Sequence, residues 1–225
     1  MKNNSFNKQI VEPNKKLFHV KMKDVINILK KNNIQLKKMD ALEVFGRGGD
    51  WHTVAYAKQV KSLEVWEINK AWKKHLKKNL PMAKIKILDS VKTILVKNNL
   101  RKFDLVIIDN PMNVFGSKIE TNEPEYCEHF DFMKHINKII SDDSIIIFNI
   151  NKQPFDYEKY PLWKKRRKEF YGKVNTSNMN RKFLLNFYKK LFKNIGYKTI
   201  FHFYIIRHKH LDYFVYRLKK INTDK

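Results

Sequence analysis

The chain holds one cysteine, Cys127, among 225 residues, so no internal disulfide can form, which fits a reducing compartment. Long apolar runs are missing: stretches such as 145–148 are far too short to cross a bilayer, and the first residues lack the apolar centre of a signal peptide. The expectation is a soluble, cytoplasmic chain with no membrane partner. Acidic residues are scarce, 22 Asp and Glu against 47 Lys and Arg, giving a net charge of +25. Glycine is scarce too, six in all, yet three crowd into positions 46–49. Internal repeats are absent, and a hydrophobic fraction of 43% over this length suits one domain with a sizeable core. Nothing in the sequence sets the oligomeric state.

The clustered glycines sit in the most informative segment. An apolar run at 41–45 breaks into Gly46-Arg47-Gly48-Gly49-Asp50, and a second run at 63–68 contains Glu67. The order is strand, glycine turn, helix, strand, acid. Glycines let the backbone turn sharply and approach a ligand, and a carboxylate about 20 residues later can hold a ribose diol. Such a unit binds an adenosine-containing cofactor. Residues 83–89 read as a third strand ending in Asp89, and 103–109 as a fourth ending in Asp109-Asn110-Pro111. In open parallel sheets the ligand crevice lies beyond the carboxyl ends of the strands, so these positions converge.

Residues 39–150, and more loosely the rest to 220, resemble a class I S-adenosylmethionine-dependent methyltransferase. The resemblance implies that Glu43, Gly46, Gly48 and Gly49 wrap the methionine part, that Glu67 binds the ribose and that Asp89 contacts the adenine, with Phe45 and Ile68 also in the cofactor site. It places Asp109 and Asn110 where a methyl acceptor is presented. Phe45 and Arg47 depart from the family, standing where glycine is common in an ungapped reading. The two aromatic and β-branched runs 198–206 and 211–218 read as a terminal antiparallel hairpin, which the same family adds to its sheet. The implied fold is an α/β three-layer Rossmann-like sandwich with a mostly parallel seven-stranded sheet. The expected division is an N-terminal extension and helix at 1–38, then the catalytic domain at 39–225 with a basic insertion at about 151–178.

Helices are expected at 17–38, at about 51–60 with Asp50 as cap, and at 69–79, 89–98, 125–140 and 180–194, the last stopped by Gly196. Charge is unevenly spread. Residues 41–150 carry 17 basic against 14 acidic side chains, whereas residues 151–225 carry 20 against 5 and the first 40 carry 10 against 3. The basic excess thus flanks a balanced cofactor core, and an anionic acceptor, RNA or DNA, is expected. The sharpest patch is Trp163-Lys164-Lys165-Arg166-Arg167, followed by Phe170 and Tyr171. Aromatics among cations can stack bases while neutralising phosphates; the competing reading packs Trp163, Phe170 and Tyr171 against the domain.

Methyl transfer needs few catalytic groups. Asp109 could accept a proton or bind the cofactor's ammonium group, Asn110 could orient the acceptor, and His129 is a candidate general base. Residues 110–113, Asn-Pro-Met-Asn, match only incompletely the motif by which amino methyltransferases grip a base amine. Residues 125–131 crowd Glu, Cys, His and Asp together but lack paired ligand spacing, so no metal is assigned; the competing reading is an acidic helix start with Cys127 and Phe130 in the core. Other readings keep the cofactor with a small-molecule or glycan acceptor, make the chain a catalytically silent nucleic-acid or protein-binding domain, or make it an aminopropyltransferase of related fold.

Overall fold

The computed structural model describes residues 15–109, 116–118, 123–126, 129–152, 161–172, 179–207, 209 and 211–222. Four short runs rich in β-branched and aliphatic residues become parallel strands: β1 (Asp40–Val44), β2 (Ser62–Glu67), β3 (Lys84–Ile87) and β4 (Phe103–Ile108). Strands β5 (Gly116–Lys118) and β6 (Glu123–Tyr126) form a separate antiparallel ribbon, while β7 (Ile140–Asn151), β8 (Tyr197–Ile206) and β9 (Leu211–Lys220) complete the main sheet. Its order is β3-β2-β1-β4-β7-β9-β8. β7 runs parallel to β4, whereas β9 pairs antiparallel with both β7 and β8.

Side-chain alternation divides the core in two. Val106, Ile108, Ile146, Phe148, Phe214 and Tyr216 face one layer; Leu105, Ile107, Ile145, Ile147, Tyr213 and Val215 face the other. Helices cover both faces, giving three layers. The first face receives α3 (Ser90–Val96), α4 (His129–Lys134), α5 (Pro161–Tyr171) and α6 (Arg181–Asn194), which buries Leu184, Tyr188 and Phe192 at four-residue spacing. The second receives α1 (Lys15–Lys31), through Met22, Val25, Ile26 and Leu29, and α2 (Lys73–Asn79), through Leu76.

Three helices depart from what their sequence predicts: the one expected at 125–140 shrinks to α4 and a 3-10 turn at Ile136–Lys138, with 125–126 taken up by β6. The 17–38 helix stops at Lys31 because Asn33 turns left-handed at φ 60°, and the Ile34 and Asn33 amides close back on the Leu29 and Lys30 carbonyls at 3.1 and 3.0 Å. That is a Schellman stop with asparagine in the glycine position. The helix expected at 51–60 is absent. Two 3-10 turns, Thr53–Ala55 and Ala57–Gln59, replace it, so Asp50 has no helix to cap. The β-branched Thr53 and Val54 are poor helix formers, and a buried carboxylate described below draws on both His52 and Tyr56. By contrast Asp89 caps α3 through the Lys92 amide at 2.9 Å, and Asn180 caps α6 through the Phe183 amide at 2.8 Å. Among the described residues no helix is long and apolar enough to cross a membrane.

Candidate cofactor site at the strand ends

Strand order reverses between β1 and β4: from β1 the chain proceeds to β2 and β3 on one side, then returns to β4 on the other. A crevice opens at such a switch point, beyond the carboxyl ends. The loop leaving β1 there has three alternate residues with positive φ: Phe45 at 65°, Arg47 at 45° and Gly49 at 69°. Phe45 and Arg47 thus hold a backbone shape suited to glycine, at about 1–3 kcal/mol of strain each. The neighbouring glycines serve packing. A Cβ on Gly46 would lie 2.2 Å from Val65 Cγ1, and one on Gly48 would lie 3.4 Å from the Trp72 ring. The loop therefore lies flat against β2 and the start of α2.

Glu67, at the end of β2, fastens this loop. Its carboxylate accepts the Arg47 amide at 2.6 Å and the Asn69 amide at 2.7 Å, and only 7% of the residue is exposed. Each oxygen retains lone pairs for a diol. Next to it Ile68 is 58% exposed, an aliphatic face at the rim of the crevice. Asp89 follows β3 at the same edge, half-buried, with one oxygen committed to its cap. Loop, diol acid, aliphatic face and second acid fit an adenosine cofactor.

Beneath the loop is a buried polar cluster that the sequence did not reveal. His52 lies between two carboxylates from adjacent strand ends, with Nε2 2.5 Å from Glu43 Oε1 and Nδ1 2.9 Å from Asp109 Oδ2. The Tyr56 hydroxyl donates to the other Glu43 oxygen. Tyr213 donates to Asp109 Oδ2 at 2.6 Å, and Arg207 donates to Asp109 Oδ1. Burial alone would strip the His52 proton, but Glu43 and Asp109 outweigh it and hold the pKa up at about 10. Burial raises the Glu43 pKa. Burial would raise that of Asp109 also, yet Arg207 and His52 hold it well below the usual carboxylate range. Two acids and two cations thus neutralise one another inside the fold.

This changes the expected role of Asp109. Both oxygens are engaged by protein donors, its charge is met by Arg207 and His52, and its affinity for a proton is low, so it is a poor general base. It is the anchor of the cluster. Asn110, with 111–115 and Cys127, lies outside the described residues, and of His129 only its place at the start of α4 is described.

The basic insertion is corrected in part. Arg167, expected on a phosphate-facing surface, is wholly buried and donates to the Asn151 carbonyl at 2.7 Å. Phe170 stacks on Phe130 with centroids 4.4 Å apart, and the Tyr171 and Tyr188 hydroxyls lie 2.9 Å apart. These aromatics therefore pack α5 to the domain. Arg166 pairs with Asp131, whereas Lys165 and Lys168 are exposed. Trp163 falls within α5, but its side chain lies outside the description. No group of three metal-ligating side chains occurs among the described residues.

No family model and no curated protein matches the chain. Solved structures do. Magnesium protoporphyrin IX methyltransferase from Synechocystis PCC 6803, with bound SAH, is similar at a TM-score of 0.56 and 10% identity, over 89% of this chain and 83% of that one. An S-adenosylmethionine-dependent methyltransferase from Clostridium acetobutylicum ATCC 824 is similar at 0.54 and 11% identity, over 94% of both chains. An N-methyltransferase from Bradyrhizobium japonicum WM9 gives 0.52 and 10%, over 90% and 98%. The fold is that of the Rossmann-like methyltransferases. The three left-handed positions at 45, 47 and 49 alternate along the loop, the spacing that the ungapped reading expects. Phe45 turns its ring toward Phe132, 6.2 Å between centroids, into the core.

His52, Tyr56, Arg207 and Tyr213 escaped sequence reading for a physical reason. Their partners lie 9, 13, 98 and 104 positions away, and no local period marks such contacts.

Proposed function

We propose that the chain is an S-adenosylmethionine-dependent methyltransferase acting on nucleic acid. The observation that carries the cofactor half is the Arg47 amide on Glu67, which closes a left-handed loop onto the diol acid at the switch point. When bound, the cofactor supplies a methyl group on a sulfonium, already activated for transfer. The protein's work is then to hold and orient. Gly46, Gly48 and Gly49 keep the loop close to β2, Glu67 takes the ribose hydroxyls, Ile68 packs on the adenine side, and Asp89 lies where it can read the base. Glu43 and Asp109, bridged by His52 and held by Tyr56 and Arg207, tie the ends of the paired strands β1 and β4 together at the floor of the crevice.

Nucleic acid as the acceptor is supported by the +25 charge and its concentration outside residues 41–150. Lys165 and Lys168, exposed on α5, are the phosphate contacts this reading favours. A small-molecule acceptor is the second reading, and one observation favours it: burial of Arg167, Phe170 and Tyr171 leaves the insertion with less base-stacking surface than its sequence suggested.

Titration calorimetry with S-adenosylmethionine tests the cofactor. Micromolar binding by the wild type, abolished in Glu67→Ala, is the expected result; no binding by the wild type would turn the reading toward a silent domain. For the acceptor, binding of RNA or DNA should weaken steeply as salt rises, and a flat salt dependence would favour the small molecule.

A further inference from the structure

Arg47 is strained and exposed. Its φ of 45° puts a long cationic side chain in a conformation suited to glycine, in a loop where Gly46 and Gly48 show how closely the backbone is packed. The guanidinium is nonetheless held in place. It lies 4.1 Å from the Trp51 ring centroid and 5.2 Å from that of Trp72, so indoles from the end of the loop and from the approach to α2 orient it. Trp51 is in turn braced by Phe18 of α1, with centroids 5.3 Å apart. Among the described residues no carboxylate lies within ion-pairing distance of Arg47. Its backbone amide meanwhile binds Glu67 at 2.6 Å, so cation and diol acid are fixed to one another.

A strained residue held by its surroundings points to a task at that position. The guanidinium is a planar fork, a match for a carboxylate. We propose that Arg47 is a cofactor-specificity residue that binds the α-carboxylate of the methionine part of S-adenosylmethionine. The proposal rests on the cofactor reading above. A ligand spanning Glu67 and the glycine loop has one anionic group, and Arg47 offers an oriented cation with no acid of its own. Glu43 and Asp109, by contrast, already face the cations His52 and Arg207 inside the fold. Recognition of the amino-acid end is thereby shifted from its ammonium group to its carboxylate.

The test compares wild type, Arg47→Gly and Arg47→Lys by calorimetry with S-adenosylmethionine and with methylthioadenosine, which keeps the adenosine and lacks the amino-acid part. Arg47→Gly should weaken S-adenosylmethionine about tenfold or more while leaving methylthioadenosine within about twofold. Arg47→Lys should fall between. Thermal melts are run in parallel, and Arg47→Gly should melt no lower than wild type because the strain is relieved, which separates lost recognition from lost folding. Equal weakening of both ligands, unchanged binding of both, or tighter binding of both would each overturn the proposal. Unchanged cofactor affinity with a shallower salt dependence for nucleic acid would overturn it in favour of a phosphate contact. A wild type that binds S-adenosylmethionine no differently from Arg47→Gly removes the proposal alone, whereas a wild type that does not bind S-adenosylmethionine removes the cofactor reading beneath it.

Discussion

Replacing His52 by glutamine gives the sharpest test of the buried cluster. The side chain is 7% exposed and faces Glu43, Asp109 and, through them, Tyr56, Tyr213 and Arg207. Its folded pKa of about 10 lies above the unfolded 6.5. Its stabilisation is therefore complete below pH 6.5 and is lost as pH rises toward 10, because the unfolded chain releases a proton that the folded chain keeps. Each pH unit in that window removes at most about 1.4 kcal/mol, so stability should fall by up to about 4 kcal/mol between about pH 6.5 and 9.5. Glutamine retains donors of similar reach and removes the cation. Near pH 6.5 the variant should be about 3–5 kcal/mol less stable, the cost of breaking a buried ion pair from one side. The gap should then narrow steadily as the wild type loses its advantage. Urea unfolding followed by tryptophan fluorescence, repeated across the window for both proteins, reads this directly. Curves that stay parallel from about pH 6.5 to 9.5 would refute the imidazolium bridge, whatever the size of the offset.

Three further substitutions probe the loop and the insertion. Gly46→Ala places a methyl group 2.2 Å from Val65 Cγ1; overpacking of this kind costs about 1–3 kcal/mol and should lower the melting temperature, and an unchanged melt would show that β2 yields. Arg167→Ala should lower the urea midpoint by removing the buried hydrogen bond that its guanidinium donates to the Asn151 carbonyl, about 1–3 kcal/mol, with no change in the salt slope of nucleic-acid binding. Lys165→Ala should do the reverse, reducing that slope by about one with stability intact; equal effects from the two residues would count against the division between structural and surface cations.

Legibility in the sequence followed the range of the interactions. The strands of the main sheet, the terminal hairpin and the Asn180 to Asn194 helix were readable because apolar periodicity, caps and turns act over a few residues. The 51–60 segment differs for the complementary reason: a local pattern suggests a helix, while the Glu43 carboxylate on β1 takes His52 and Tyr56, the residues that cap the two 3-10 turns. Arg167 shows the same limit, since a run of cations reads as surface until its place on the helix is known.

The loop carries this reasoning one step further. Sequence shows Phe45 and Arg47 as departures from a glycine pattern, and by itself that suggests a different turn. The φ angles show the turn kept and the residues strained to fit it. For Phe45 the compensation is visible, since its ring packs against the core near Phe132. Arg47 has no such burial, and its partners Trp51 and Trp72 would hold the guanidinium as well before a ligand arrives as after. Pre-organisation of that kind lowers the entropy lost on binding an anion. The two substitutions at glycine positions thus divide into one explained by packing and one explained by recognition, and only the second should respond when the ligand's carboxylate is removed.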